Sequence, residues 1–585
     1  MGQRAYSNRR KAMIRELKVE QLYLTCEPSE LGCESSKDVQ QTDTIIGQER
    51  AVKALRFGLD IKNNGFNIFV SGLPGTGRTT AIERFLKEFA SKKPVPNDWC
   101  YVNNFDDPSA PNAIQFPAGK AIIFKEEMEQ TLEVAINDLK ASFDSKEYNA
   151  HKEKRITEIQ NKKQSLLKQL EKIAQEQNFT LQPTPMGLLS IPIKDGKLLS
   201  EKEFLELDQV ERNKINESQQ YITKAIEETT NTIKDLDKEL RKKIEEYDTD
   251  VARFAIQTHF DELTKKYADL KEIPKFIKEV QEDILKNISE FVKDEDDQAQ
   301  IPIPKQQARK SPLQKYAINV IVDNTKSKGS PVVLEMNPTF SNLIGKVEHE
   351  AVMGALVTNF TLIRPGSLHK ANGGFLVMPV EEILQNPFAW DTLKRALVNG
   401  KINIEEIGER IGFSTKTLRP EPVPMDVKVI LIGRPDLYQL LFALDENFNE
   451  LFKVKADFDL QMPRTDANIQ EFLSFVCTLC THEDLKHLDK TALARMIEHA
   501  SRLANDQEKL SAQFGEMSDV IREANYYANN EGVDYITKSH IDQTIDARFY
   551  RSSLIRDRIQ EMITRGKIKI AIDGEKVGQV NGLSV

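Results

Sequence analysis

The segment GFNIFVSGLPGTGRTTAIERFLKEFA, residues 65–90, constrains the fold of this chain more than any other. An apolar run suited to a buried strand stops at Ser71, a glycine-rich turn follows, and the apolar residues then recur at helical spacing. Strand, glycine turn and helix in that order form a cradle in which backbone N–H groups and the positive helix end close around a phosphate. The residues placed to do so are Gly72, Gly75, Thr76, Gly77, Arg78, Thr79 and Thr80. One position departs from the usual pattern: Arg78 stands where a lysine is expected, exchanging a compact ammonium for a wider planar fork. Three outcomes stay open: ATP or ADP bound with Mg²⁺ and hydrolysed, nucleotide bound without fast turnover, or a scaffold turn with no ligand.

The α/β pattern extends on both sides of this segment. IGQERAVKALRFGLDI reads as an amphipathic helix, and YAINVIVDN, GGFLVMPV and VKVILIG read as strands, so residues 43–120 and 301–464 are expected to build one parallel sheet. An ATPase of this type needs acids at the end of a second buried strand to hold the metal. The strand GGFLVM ends instead in Pro379 and Val380, which leaves Glu381 and Glu382 as the Mg²⁺ candidates. Residues 465–565 read as helical throughout.

Between the two sheet segments, residues 121–300 change character. Lys, Glu, Gln and Asn dominate, with sparse aliphatics at helical spacing: Ile159, Lys163, Leu166, Leu170 and Ile173 step by four and three, and Ile226, Thr229, Ile233, Leu236 and Leu240 do the same. These read as two arms of a helical hairpin or coiled coil, with a third helical region over 250–293 and a proline-containing linker after it. The turn between the arms holds Phe179, Leu181, Met186, Leu188, Leu189, Ile191 and Ile193 around an Asp195-Gly196 turn, which predicts a small non-helical tip. Such a tip either captures apolar segments of unfolded polypeptide or packs on itself or a neighbouring subunit.

Overall charge narrows the partners. Lys plus Arg number 81 against 90 Asp plus Glu, a net −9, which excludes an all-over nucleic-acid coat. No window approaches a membrane span and the start lacks a secretory core, so a cytoplasmic protein is expected. Five cysteines argue against a disulfide framework. Cys477 and Cys480, near His482 and His487, lack a second pair for a zinc site and read as the buried side of a helix. His349 and His369 read as structural.

The run SNLIGKVEHEAVMGALVTNFTLIRPGSLHKANGGFLVM, Ser341 to Met378, resembles the AAA+ module of the Lon-related proteases, in the group with a long helical insertion. IIGQERAVKALRFGL, YVNNFDDPSAPNAIQFPAGKA, VPMDVKVILIGRPDLYQLLFALDENFNELFKVKADFD and KLSAQFGEMSDVIREANYYANNEG fit the same group. The resemblance implies an α/β AAA+ P-loop core, an inserted helical hairpin and an all-α lid over 465–565, with residues 1–42 as a separate N-terminal segment. It further implies a homo-oligomer, a hexameric ring, that feeds unfolded polypeptide to a Ser-Lys peptidase domain. That domain would open with a strand resembling GQVNGLSV, Gly578 to Val585, so residues 566–585 are expected to be its start, truncated, and no catalytic residue can be named. Departures from the family pattern point away from ATP-driven work: no arginine lies between Pro435 and Pro463, Gln513 stands at a sensor-arginine position, and Arg434 follows the sensor strand. The alternatives are a non-enzymatic holdase or adaptor, and a coiled-coil ATPase acting on nucleic acid.

Overall fold

The computed structural model describes residues 18, 22–41, 45–184, 187–194, 197–199, 204, 207–292, 311–352, 355–406, 408, 418–570 and 573–578. Its centre is a five-stranded sheet of β1 (Ile68–Ser71), β2 (Val332–Leu334), β3 (Gly374–Pro379), β4 (Val427–Gly433) and β5 (Val454–Asp457). The order is β5-β1-β4-β3-β2, with every neighbouring pair parallel. Helices cover both faces, which is why these strands are apolar at successive positions rather than at alternate ones. One face sets Val70, Val377 and Ile430 against α1 (Glu49–Asp60) and α2 (Arg78–Ser91), which contribute Leu55, Leu59, Ile82 and Leu86. The opposite face sets Phe69, Leu376, Met378 and Leu431 against Leu393, Phe448 and Phe452.

The insertion leaves and re-enters through one small antiparallel sheet. Its middle strand, Asp98–Val102, is flanked by Asn112–Phe116 on the outgoing chain and Asn319–Val322 on the returning one. Asp98 is fully buried and accepts the N–H of Ala121 (3.3 Å) and of Asn324 (2.8 Å), so one carboxylate ties the two ends of a long excursion together. The excursion consists of α3 (Lys120–Asp144), α4 (Lys146–Glu176), α5 (Gln209–Lys266) and α6 (Glu272–Lys286).

Helix α5 is continuous over 58 residues, about 87 Å at 1.5 Å per residue. The helical region expected over 250–293 is therefore divided: up to Lys266 it is the base of the second arm, and α6 with the single helical turn Ser289–Val292 carries the rest. Nothing between 209 and 266 is Gly or Pro, so only the buried face changes along the rod. Ile222 meets the tip, whereas Ala252, Ile256, Phe260 and Leu263 join the core formed with α3 and α6. The tip is a three-stranded antiparallel sheet, Phe179–Thr184, Gly187–Lys194 and Lys197–Leu198. Phe179 is buried against Ala174 and Ile222; Leu181, Leu188 and Ile191 are half-buried; Leu189 is 54% exposed. Met186, the Asp195-Gly196 turn, the linker over 301–310 and residues 579–585 of the expected peptidase strand lie outside the described residues.

A second core follows in α7 (Asp466–His482), α8 (Lys490–Ala504), α9 (Phe514–Glu531), α10 (Lys538–Ser552) and α11 (Leu554–Thr564). Leu473, Ile497 and Ile521 fill it, with Cys26 and Leu31 from the N-terminal segment, and Cys480 lies buried among them. No helix among the described residues is long and apolar enough to cross a membrane.

Candidate functional site

The glycine loop joins the carboxyl end of β1 to α2. Gly75 (φ +86°) and Gly77 (φ +69°) take left-handed backbone, which a residue with a Cβ adopts only at a cost, and this turns the loop sharply enough to start the helix at Arg78. Thr76 Oγ1 donates to the Leu73 carbonyl at 3.0 Å, which closes the loop on itself.

Gly75, Thr76, Gly77, Arg78, Thr79 and Thr80 all line a cavity of ≈ 610 Å³ between the loop and the C-terminal helices. Gly72 stands behind it, its N–H donated to the Gly433 carbonyl at the end of β4 (3.2 Å). The far wall comes from Ile45 and Ile46 and from the helical region: Phe475, Leu479, His482, Phe514 and Gly515. Sequence patterns did not single out these wall residues for a site, because they converge only when the second core packs on the first. Their one local signal is Gly515, a glycine just inside a helix start, where an added Cβ would stand 3.2 Å from the Gly75 carbonyl oxygen.

Arg78 turns back into the protein. Its Nη1 donates to the Gly72 carbonyl and, at 2.8 Å, to the Gly433 carbonyl. The guanidinium is half-buried; burial works against its charge and nearby Glu381 supports it. Glu381 and Glu382 occupy the first turn of the short helix Val380–Gln385, which Pro379 initiates. Glu381 Oε1 accepts the backbone N–H of Arg434 at 3.3 Å, while Arg434 Nε donates to Asp436 at 3.0 Å. Neither Glu381 nor Glu382 lines the cavity. The carboxylate that does, Glu483, is held by Arg522 at 2.6 and 2.7 Å, and that pairing keeps its pKa below the usual range.

The donor set beside the loop is thus backbone amides, hydroxyls, a helix N-terminus and Arg84 further along α2, which fits phosphate oxygens, and the largely apolar far wall fits a flat ring. Mg²⁺ fits less well: it needs oxygen ligands with at least one carboxylate, and Glu483 is already paired. Among the described residues no cluster of three or more His, Cys, Asp or Glu side chains could hold a metal. His369 is fully buried with Nδ1 accepting the Gly366 N–H (3.4 Å), and burial pushes its pKa down to about 3. His349 lies 3.7 Å from Glu406.

Comparison with known proteins agrees with this architecture. Residues 328–459 match the profile described as LonB-like, AAA domain; residues 487–551 match Archaeal LonB, AAA+ ATPase LID domain; residues 98–131 match Lon-like LonC helical domain. A putative Lon protease homolog of Escherichia coli (strain K12) is 26% identical over 249 residues, 41% of this chain and 40% of that protein. The archaeal Lon protease of Archaeoglobus fulgidus is 27% identical over 274 residues, 46% of this chain and 43% of that one. The chain thus spans about two fifths of the length of the curated relatives it matches. Among solved structures, NtrX from Brucella abortus aligns at TM-score 0.24 and 15% identity, over 36% of this chain and 44% of that one. A RuvB mutant of Thermotoga maritima aligns at TM-score 0.19 and 13% identity, over 30% of this chain and 46% of that one. Sheet order, glycine loop and the three profile matches together make this chain similar to the Lon-related AAA+ proteins over residues 98–131, 328–459 and 487–551.

Proposed function

We propose that this chain is the nucleotide-holding, substrate-handling portion of a Lon-related ATP-dependent serine protease, and that it binds ATP or ADP with little or no turnover. The observation that carries the reading is Arg78, whose guanidinium serves the carbonyls of Gly72 and Gly433 instead of reaching into the cavity. Phosphoryl transfer depends on a cation and a carboxylate-held metal to neutralise charge on the transferred group. Here the loop cation is engaged elsewhere, β3 ends at Pro379 with Val380 after it, and Glu381, outside the cavity, has one oxygen turned to the Arg434 N–H. The backbone amides of Gly75, Thr76 and Gly77 and the hydroxyls of Thr79 and Thr80 are left to cradle phosphates.

Further from the loop, the insertion gives reach, and its tip binds apolar segments of unfolded polypeptide. Copies of the chain assemble through the AAA+ module as a ring, a hexamer, in the cytoplasm. A non-enzymatic adaptor that binds clients is the second reading, favoured by the exposure of Leu189 on the tip sheet.

The test is titration of the purified chain with fluorescent ADP and ATP, followed by phosphate release. Saturable binding with turnover at least 100-fold below the ~1 s⁻¹ low end of ordinary enzymes is expected. Turnover near 1 s⁻¹, or no binding of either nucleotide, would overturn the reading.

A further inference from the structure

We infer that the opposite end of the core sheet carries a second site, one for a small phosphorylated ligand. A cavity of ≈ 470 Å³ opens at the amino ends of β1, β3 and β4, whereas the glycine loop stands at the carboxyl end of β1. That volume lies in the range of small-molecule pockets. Three lysines line it: Lys62 from the turn after α1, Lys93 at the exit of α2, and Lys428 at the entry to β4. The Gly373-Gly374 backbone brings no side chain into the space.

The lysines lack the partners that ordinarily neutralise such groups. Lys93 Nζ stands 4.9 Å from the ring centroid of Phe89 and 5.1 Å from that of Phe375. No carboxylate lies within ion-pair distance of Lys93 or Lys62 among the described residues. Lys428 Nζ donates to the carbonyls of Ile61 (2.9 Å) and Phe66 (3.1 Å), which uses two of its three protons and supplies no counter-charge. Burial depresses both half-buried ammonium groups; Lys428 is pushed further by Lys93, and Lys93 by Lys62. Asp426, the one carboxylate lining the same cavity, acts in the opposite sense on Lys93 and Lys428 without an ion pair to either, and Asp60 does so on Lys93, so three lysines face a single acid.

Like charges gathered around one partly enclosed cavity raise the free energy of the empty state, and an anion seated between them lowers it. A dianion answers two or three ammonium groups better than a carboxylate does, and lysine binds phosphate as a point charge without requiring a planar fork. Apolar Val95, Pro96 and Leu397 on the same wall leave room for the body of a phosphorylated metabolite.

The experiment is calorimetric titration of the full chain with inorganic pyrophosphate. Lys93→Gln and Lys428→Gln are compared with Thr80→Asp, which places a repelling charge at the glycine loop while favouring the first turn of α2. Pyrophosphate binding that survives Thr80→Asp and weakens tenfold or more in each lysine variant is the expected result. Lys93→Arg, which keeps the charge and the ring contacts, should bind within threefold of the parent, and circular dichroism confirms that each variant folds. Binding lost in Thr80→Asp but unchanged in the lysine variants would overturn the proposal. So would equal loss in Lys93→Arg and Lys93→Gln, or no binding by the parent chain.

Discussion

Gly515 donates its backbone N–H to the carbonyl of Gly75 at 2.9 Å, so the first turn of lid helix α9 is fastened to the glycine loop itself. The contact is close because Gly515 has no side chain: a Cβ there would stand 3.2 Å from that oxygen and 3.3 Å from the Gly75 Cα. Gly515→Val should push the lid off the loop and open the apolar wall. Affinity for fluorescent ADP is expected to fall roughly tenfold, about 1.4 kcal/mol, with helix content unchanged. Unchanged affinity would mean that the lid does not contribute to the nucleotide site.

Arg78 makes a second prediction because its hydrogen bonds are structural. Arg78→Ala deprives the Gly72 carbonyl of a charged donor and should destabilise the sheet unit by about 1–3 kcal/mol, read by urea unfolding. Gly433 is less affected, since its carbonyl also accepts the Gly72 N–H. Nucleotide affinity should change by less than threefold. A tenfold loss of ADP binding without loss of stability would show that Arg78 contacts phosphate after all.

Much of this architecture is legible in the sequence, for local reasons. The glycine loop, the strand Gly374–Pro379 and the hairpin arms are coded by short-range pattern and appear where the pattern places them. The continuity of α5 through residue 250 is less legible, because the buried face rotates there from the tip to α3 and α6 and mimics a boundary between helices. The lid side of the cavity was beyond reach: Phe475 and Phe514 look like ordinary core residues, and only packing sets their rings 4.9 Å apart beside the loop. The return of Arg78 to Gly433 spans 355 residues, and no spacing rule reports such a contact.

Two histidines, His369 fully buried and His499 half-buried, set an acid limit on stability. Burial pushes His369 down to about 3; burial, with Arg495, Arg548 and Arg502 adding to it, pushes His499 down to about 4, against an ordinary 6.5. The unfolded chain takes up protons near pH 6.5 that the folded chain refuses, so stability is full above that pH and falls as the pH drops toward the folded values. Each histidine contributes a slope approaching about 1.4 kcal/mol per pH unit. His369→Asn, which keeps an acceptor for the Gly366 N–H, should shrink the loss between pH 7 and 5.5 by roughly 1 kcal/mol. An unaltered pH profile in urea unfolding would sink this account.

At the tip, burial separates two kinds of apolar residue. Phe179 is 1% exposed and anchors the sheet to Ile222, so Phe179→Ala should melt the tip locally at a cost of about 3–5 kcal/mol. Leu189 is 54% exposed, and Leu189→Asp should cost no more than about 0.5 kcal/mol. If the tip engages unfolded polypeptide, Leu189→Asp should weaken binding of a reduced and alkylated protein fivefold or more by fluorescence anisotropy. Equal binding by Leu189→Asp and the parent would assign the tip a packing role instead.

Metal dependence separates this site most sharply from an active ATPase. A conventional site loses much of its nucleotide affinity when Mg²⁺ is chelated, because a strand-end carboxylate and the phosphates share the ion. Here Glu483 is paired with Arg522 and Glu381 accepts a backbone N–H, so chelation should change ADP affinity by less than twofold. The two apolar residues after Met378 are not equivalent places to restore an acid. Val380 is fully buried against the end of β4, and a glutamate there would cost several kcal/mol of desolvation. Pro379 is half-buried at the strand end and donates no backbone hydrogen bond, so aspartate fits with little loss. Pro379→Asp should therefore make ADP binding Mg²⁺-dependent by fivefold or more while leaving the fold intact. A parent chain whose affinity already collapses on chelation would show that a carboxylate reaches the phosphates by a route other than β3, and the low-turnover reading would fall with it.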